Sequence, residues 1–207
     1  MGLFIKKEND EIINKSKALF ETLNSNKLFA ILERDNLIVK QFEDKYKKFN
    51  DKMFYSVIIN CGGIIFDNWI RFYGSGILNI IEKNNIIDNN DMDIVIGEDI
   101  IGGLFGIKEN MIYYFAPDSL RWESLDIGYV QLMTWLINTP EKVNQFYENN
   151  RWENWKQDVK NLKIDEGIFI YPYLFTEENI SVNERSRRNV SMMEIIEMNK
   201  EFTKQLK

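Results

Sequence analysis

The 207-residue chain contains no histidine and a single cysteine, Cys61. Without an imidazole, neither a Ser-His-Asp nor a Cys-His nucleophilic arrangement can be assembled. One thiol cannot close an intramolecular disulfide, and it cannot supply the several Cys and His ligands of a zinc site. With no base to activate it, Cys61 is expected to be a buried structural thiol, because free cysteine packs like a small hydrophobe. Glycine-rich phosphate loops are missing too. Neither the P-loop pattern nor the dinucleotide fingerprint occurs, and Gly102-Gly103-Leu104-Phe105-Gly106 has the wrong spacing for either. Long apolar runs are likewise absent. Stretches such as Val57–Ile59 and Ile64–Phe66 fall far short of the roughly 20 residues that span a bilayer. The start, Met1-Gly2-Leu3-Phe4-Ile5-Lys6-Lys7, does not read as a signal peptide, and Lys6 stands where myristoylation requires Ser or Thr. Glycosylation-type triplets begin at Asn14, Asn179 and Asn189, but without a secretory signal they are expected to be incidental. The expected location is cytoplasmic.

What is present describes a globular protein. Apolar residues make up 44% and aromatic residues 14%, far from the polar, aromatic-poor composition of disorder. A chain of this length buries enough surface to need no disulfide staples. There is no repeat, low-complexity tract or linker, so one domain, 1–207, is expected. Its parts read as helical 1–52, sheet-forming 53–126 and helical 127–207.

Within the middle part, Met53–Asn60 is rich in β-branched and aromatic residues and reads as a strand ahead of Gly62-Gly63. Ile64-Ile65-Phe66 and Trp69–Tyr73 flank Asp67-Asn68, which suits a hairpin. A second hairpin joins Gly103–Ile107 to Met111–Phe115. On either side the apolar spacing becomes helical. Ile12, Ile13, Leu19, Phe20 and Leu23 share a face, as do Tyr129, Leu132, Met133, Leu136 and Ile137. Thr139-Pro140 reads as a helix start, Trp152, Trp155, Val159 and Leu162 form another stripe, and Ser191–Glu194 is a capping box. The fold class is α+β, with a central, mostly antiparallel sheet (about residues 53–122) flanked by N-terminal and C-terminal helices.

The net charge of −6 is concentrated, because residues 56–126 alone carry −7. Asp88, Asp91, Asp93, Glu98 and Asp99 cluster there. Paired carboxylates can do acid–base work or hold a divalent cation. The calcium-loop pattern fails, however, because Ile94 occupies the position that needs glycine. A solvated loop or a protein-docking patch remains, with Asp91, Asp93, Glu98, Asp99 and Trp122 as candidate partner-binding residues. Arg71 and the run Arg185-Ser186-Arg187-Arg188 are candidates for an anion site, since guanidinium forks match phosphate and carboxylate. They are equally candidates for structural ion pairs, and Glu177, Glu178 and Glu184 lie close in sequence. The aromatic set Trp135, Phe146, Tyr147, Trp152 and Trp155 reads as core. No metal and no cofactor is expected. Nucleic acid is an unsuitable partner for so acidic a chain.

Read in order, several stretches resemble an uncharacterised bacterial family, domain-of-unknown-function family 2625. They are Gly62-Gly63-Ile64-Ile65-Phe66-Asp67, Trp69-Ile70-Arg71, Gly74-Ser75-Gly76, Asp99 with Gly102-Gly103-Leu104-Phe105, and Tyr113–Asp118. Trp122-Glu123, Gly128-Tyr129, Arg151-Trp152, Tyr171-Pro172 and Arg185–Arg188 continue the series. The family implies no established activity. A looser similarity is to Smi1/Knr4-like (SUKH) domains, which implies an immunity role against bacterial toxins. The leading expectation is a non-catalytic cytoplasmic protein-binding domain, an immunity protein that occludes a cationic bacterial toxin. The alternatives are a small carboxylate- and arginine-dependent enzyme and a small-ligand-binding domain.

Overall fold

The computed structural model describes residues 2–176 and 180–206. Glu177, Glu178 and Asn179, which opens one of the three triplets, lie outside the described residues. The architecture is α+β, and contacts divide the chain into two units: Met1–Asp67 with Arg71–Asp88, and Asn68–Ile70 with Asn89–Lys207.

The first unit begins with helix α1 (Gly2–Ser25), strand β1 (Phe29–Leu32) and helix α2 (Asn36–Tyr46). Helix α3 (Met53–Asn60), strands β2 (Gly63–Phe66) and β3 (Ile70–Tyr73), and helix α4 (Ile80–Ile87) complete it. Met53–Asn60 is therefore a helix, not the strand its β-branched residues suggest. Phe54, Tyr55, Ser56, Val57 and Ile58 are all buried, and a short segment buried all round shows no period that separates helix from strand. Strand β1, within the segment expected to be helical, pairs antiparallel with β2 from Phe29↔Phe66 to Leu32↔Gly63. Asp67 and Asn68 turn β2 into β3, with φ of 48° and 52°, the left-handed pair that a tight hairpin demands. On α1, Leu19 and Phe20 are half-buried and Leu23 is buried, but Ile13 is exposed.

The second unit holds strands β4 (Ile94–Asp99), β5 (Leu104–Lys108), β6 (Met111–Ala116) and β7 (Arg121–Ser124). Successive strands pair antiparallel. Glu109 and Asn110, at φ 52° and 67°, form the two-residue β5–β6 turn, again in the left-handed geometry that matches strand twist. Helices α5 (Tyr129–Asn138), α6 (Pro140–Phe146) and α7 (Trp155–Val159) follow. Pro140 opens α6 as expected, but the Thr139 hydroxyl turns back to donate to the Trp135 carbonyl instead of capping. The C-terminal part is not wholly helical. Strands β8 (Glu166–Tyr171) and β9 (Ser186–Ser191) form an antiparallel pair before helix α8 (Met192–Gln205). The Ser191–Glu194 capping box opens α8, with Ser191 N–H donating to Glu194 and Met193 N–H to the Ser191 hydroxyl. The expected triplet at Asn14 falls within α1, and the one at Asn189 falls within β9.

Candidate functional site

Antiparallel pairing sorts the acidic residues by end. The start of β4 lies beside the end of β5 (Ile94↔Ile107), and the start of β6 lies beside the end of β7 (Tyr113↔Ser124). Asp91, Asp93, Glu109 and Asp126, all exposed, therefore gather at one end of the four-strand ladder. The Asp93 carboxylate accepts the Glu109 N–H at 3.0 Å, tying the loop before β4 to the β5–β6 turn.

Glu98 and Asp99 sit at the opposite end of β4, about 20 Å away at 3.3 Å per residue. Both are 0% exposed, so neither belongs to a docking surface with Asp91 and Asp93. The sequence clusters these acids because a strand is short in residues, although it is long in space.

Trp122 joins the exposed acids through a glycine. Cross-strand pairing places Gly106, Tyr113, Phe115 and Trp122 on one face of the ladder. A Cβ at Gly106 would lie 2.5 Å from Met92 Cγ and 3.0 Å from Trp122 Cζ3. Only glycine lets Met92, from the acidic loop, and Trp122, from β7, close over that strand. Trp122 is half-buried and packs edge-on against Phe115 at 5.6 Å. The result is a thioether and aromatic patch beside Asp91 and Asp93, a pairing that sequence order does not show. The opposite face carries Phe105 and Tyr114, with Tyr114 packed against Phe146 of α6 at 5.1 Å.

Asp99 instead anchors a closed network. Its Oδ1 accepts the N–H groups of Gly103 (2.8 Å) and Ile101 (3.0 Å). Its Oδ2 accepts the hydroxyls of Tyr114 (2.6 Å) and Tyr147 (3.1 Å). Gly103 makes this possible, since a Cβ there would overlap Asp99 Oδ2 and the Tyr114 hydroxyl. Burial pushes the Asp99 carboxyl above its ordinary range, and the four donors pull against that shift. Burial first, then the neighbouring carboxylate, holds both phenols well above theirs. Asp99 and Tyr147 are 0% exposed and Tyr114 is buried, so the network lies beneath the surface.

Arg71 is buried in β3 of the first unit. In the second unit, Arg185 is buried and donates to the carbonyls of Pro172, Tyr173 and Ile180. Arg187 donates to the carbonyls of Val182 and Arg185 at 2.7 and 2.8 Å, with its guanidinium 4.9 Å from the Trp152 ring. The guanidinium of Arg188, which is exposed, lies 5.0 Å from the Phe169 ring. Arg185, Arg187 and Arg188 thus brace backbone and aromatic rings, a role composition does not reveal. Arg151, absent from the expected set, is held among Trp155, Trp69 and Tyr147 at 4.0, 4.5 and 4.9 Å. Among the described residues no group of three or more His, Cys, Asp or Glu converges as a metal set, and no helix is long and apolar enough to cross a membrane.

An α+β chain with a closed carboxylate network and an acidic, aromatic sheet face is the class that fold and site define. The family model described as "Protein of unknown function DUF2625" matches residues 15–195, and the chain belongs to that family. It is 39% identical over 97 residues to the putative uncharacterized protein YbfG of Escherichia coli, covering 47% of this chain and 43% of that protein. It is 27% identical over 156 residues to an uncharacterized protein of Haemophilus influenzae, covering 66% of this chain and 67% of that protein. The match thus spans less than half of the E. coli relative's length.

Proposed function

We propose that the chain is a non-catalytic, cytoplasmic protein-binding domain whose acidic ladder end docks a cationic protein, with immunity against a bacterial toxin as the biological setting. The observation that carries this reading is the meeting of Met92 and Trp122 over Gly106, next to exposed Asp91 and Asp93. An aromatic anchor within a charged rim is the arrangement from which protein interfaces draw affinity and selectivity. The pattern similarity to Smi1/Knr4-like domains supports the immunity setting.

The test is co-expression with a basic toxin encoded beside this gene, scored by survival and co-purification, followed by association kinetics. Complementary charge makes association slow as salt is added, because the Debye length falls from about 10 Å at 0.1 M to about 3 Å at 1 M. The double variant Asp91→Lys, Glu109→Lys changes exposed side chains, leaves the Asp93 hydrogen bond in place and is expected to lose binding at unchanged stability. Rescue and binding that persist in this variant would place the interface elsewhere. Absence of both rescue and co-purification with the wild type would end the immunity reading.

A further inference from the structure

We infer that the groove between the β8–β9 pair and Trp152 binds a small phosphate ester, a site independent of the acidic ladder end. Three of the chain's seven arginines lie in the four residues Arg185–Arg188. The open groove has a volume of about 380 Å³, and Trp152, Asp158, Ile168, Arg185, Arg187, Arg188 and Asn189 are among the residues that line it. A volume of this size suits a small organic ligand and exceeds what a bare phosphate needs.

Strand alternation decides which donors face it. Arg187 and Asn189 share a face of β9, opposite Ile170 and Ile168 of β8. The Arg187 Nη1 is committed to backbone carbonyls, and the planar head is held over Trp152. That fixes the orientation of Nε and Nη2, which donate to no acceptor among the described residues. A guanidinium edge held in one plane is pre-organised for two oxygens of a phosphate, and the ordering entropy of a free arginine is already spent. The Asn189 side chain is exposed and makes no hydrogen bond with another described residue, so its amide N–H is a second donor. Arg185, buried at the groove, adds a second positive charge, which favours a dianion over a monoanion.

The remaining lining suits the organic part. Ile168 provides an apolar floor. Asp158 already accepts the Trp152 indole N–H at 2.6 Å, and its carboxylate still has lone pairs for a ligand hydroxyl. Arg188 also lines the groove, while its head lies over Phe169.

The experiment is titration calorimetry of the full chain with glycerol 3-phosphate, inorganic phosphate and acetate, at about 0.15 M ionic strength, where the Debye length is about 8 Å. One-site binding is expected for the ester, weaker binding for inorganic phosphate and none for acetate. Asn189→Asp places a negative charge among the donors and is expected to weaken the ester about tenfold or more, with an unchanged thermal midpoint. Arg187→Lys keeps the charge, loses the fork and is expected to cost about as much. No saturable heat with the ester up to about 10 mM would overturn the proposal. So would unchanged affinity in Asn189→Asp or in Arg187→Lys. Inorganic phosphate binding as tightly as the ester would overturn the ester assignment.

Discussion

Removing the Asp99 carboxylate tests whether the closed network stabilises the second unit as its geometry implies. Asp99→Ala leaves four buried donors without an acceptor: the hydroxyls of Tyr114 and Tyr147 and the N–H groups of Ile101 and Gly103. Each unsatisfied buried donor costs about 1–3 kcal/mol. Even if relaxation recovers half of the total, the loss is about 4 kcal/mol, a large share of the 5–15 kcal/mol typical of a folded domain. Asp99→Asn keeps one oxygen for the two N–H groups, and its amide donates to phenol oxygens that rotate to accept, so about 1–2 kcal/mol is expected. Tyr114→Phe removes one donor to a charged acceptor and should cost about 1.5–3 kcal/mol. Denaturant unfolding followed by tryptophan fluorescence measures all three. The pH arm is independent. Because burial raises the folded carboxyl above its unfolded value of about 4, its stabilising contribution is present below that value. It is lost as pH rises through the folded value. The margin of wild type over Asp99→Asn should therefore shrink with rising pH. A margin that grows as pH rises from about 4 would show that the four donors outweigh burial, and Asp99→Ala within about 1 kcal/mol of wild type would refute the network's role.

Two further substitutions probe the packing of the second unit. Trp135 is half-buried and meets Phe146 edge-on at 5.6 Å, so Trp135→Ala should cost about 1–3 kcal/mol. Trp69, fully buried against Tyr147, Trp152 and Trp155, should lose about 3–5 kcal/mol on truncation; equal losses in denaturation midpoint would contradict this ranking. The Cys61 thiol is buried and pushed up to about 12. The native chain should therefore resist an aromatic disulfide reagent at about pH 8 and react on unfolding. Its contribution to stability should hold below the ordinary thiol range and disappear as pH rises through about 12; rapid native labelling would show the thiol accessible.

The sheet was legible where turn chemistry announced it. Asp67-Asn68 and the β5–β6 turn carry residues that tolerate left-handed backbone, and both sit at hairpins. The amphipathic helix α5 and the Ser191–Glu194 cap were legible from period and spacing. The identity of α3 was not, because a segment buried on every side displays no periodicity. Strand β9 was hidden by its polar residues, Arg187, Arg188 and Asn189 among them, and β8 thereby lost its visible partner. The site was half legible. Trp122 and the exposed acids were in the sequence, but their meeting depends on Gly106 sitting opposite Tyr113 in the β5–β6 register. The buried fate of Asp99 depends on Tyr114 and Tyr147, the latter 48 residues away.

All five tryptophans, Trp69, Trp122, Trp135, Trp152 and Trp155, fall in the second unit. Intrinsic indole emission is therefore blind to the first unit, whose helices α1 to α4 contribute mainly to far-ultraviolet dichroism. Dichroism reports the helices of both units, so the fluorescence alone is specific to one of them. Superimposable melting curves would mean that the halves lose structure in a single cooperative event. Curves that separate would assign the earlier loss to a unit directly, with no label attached to the protein.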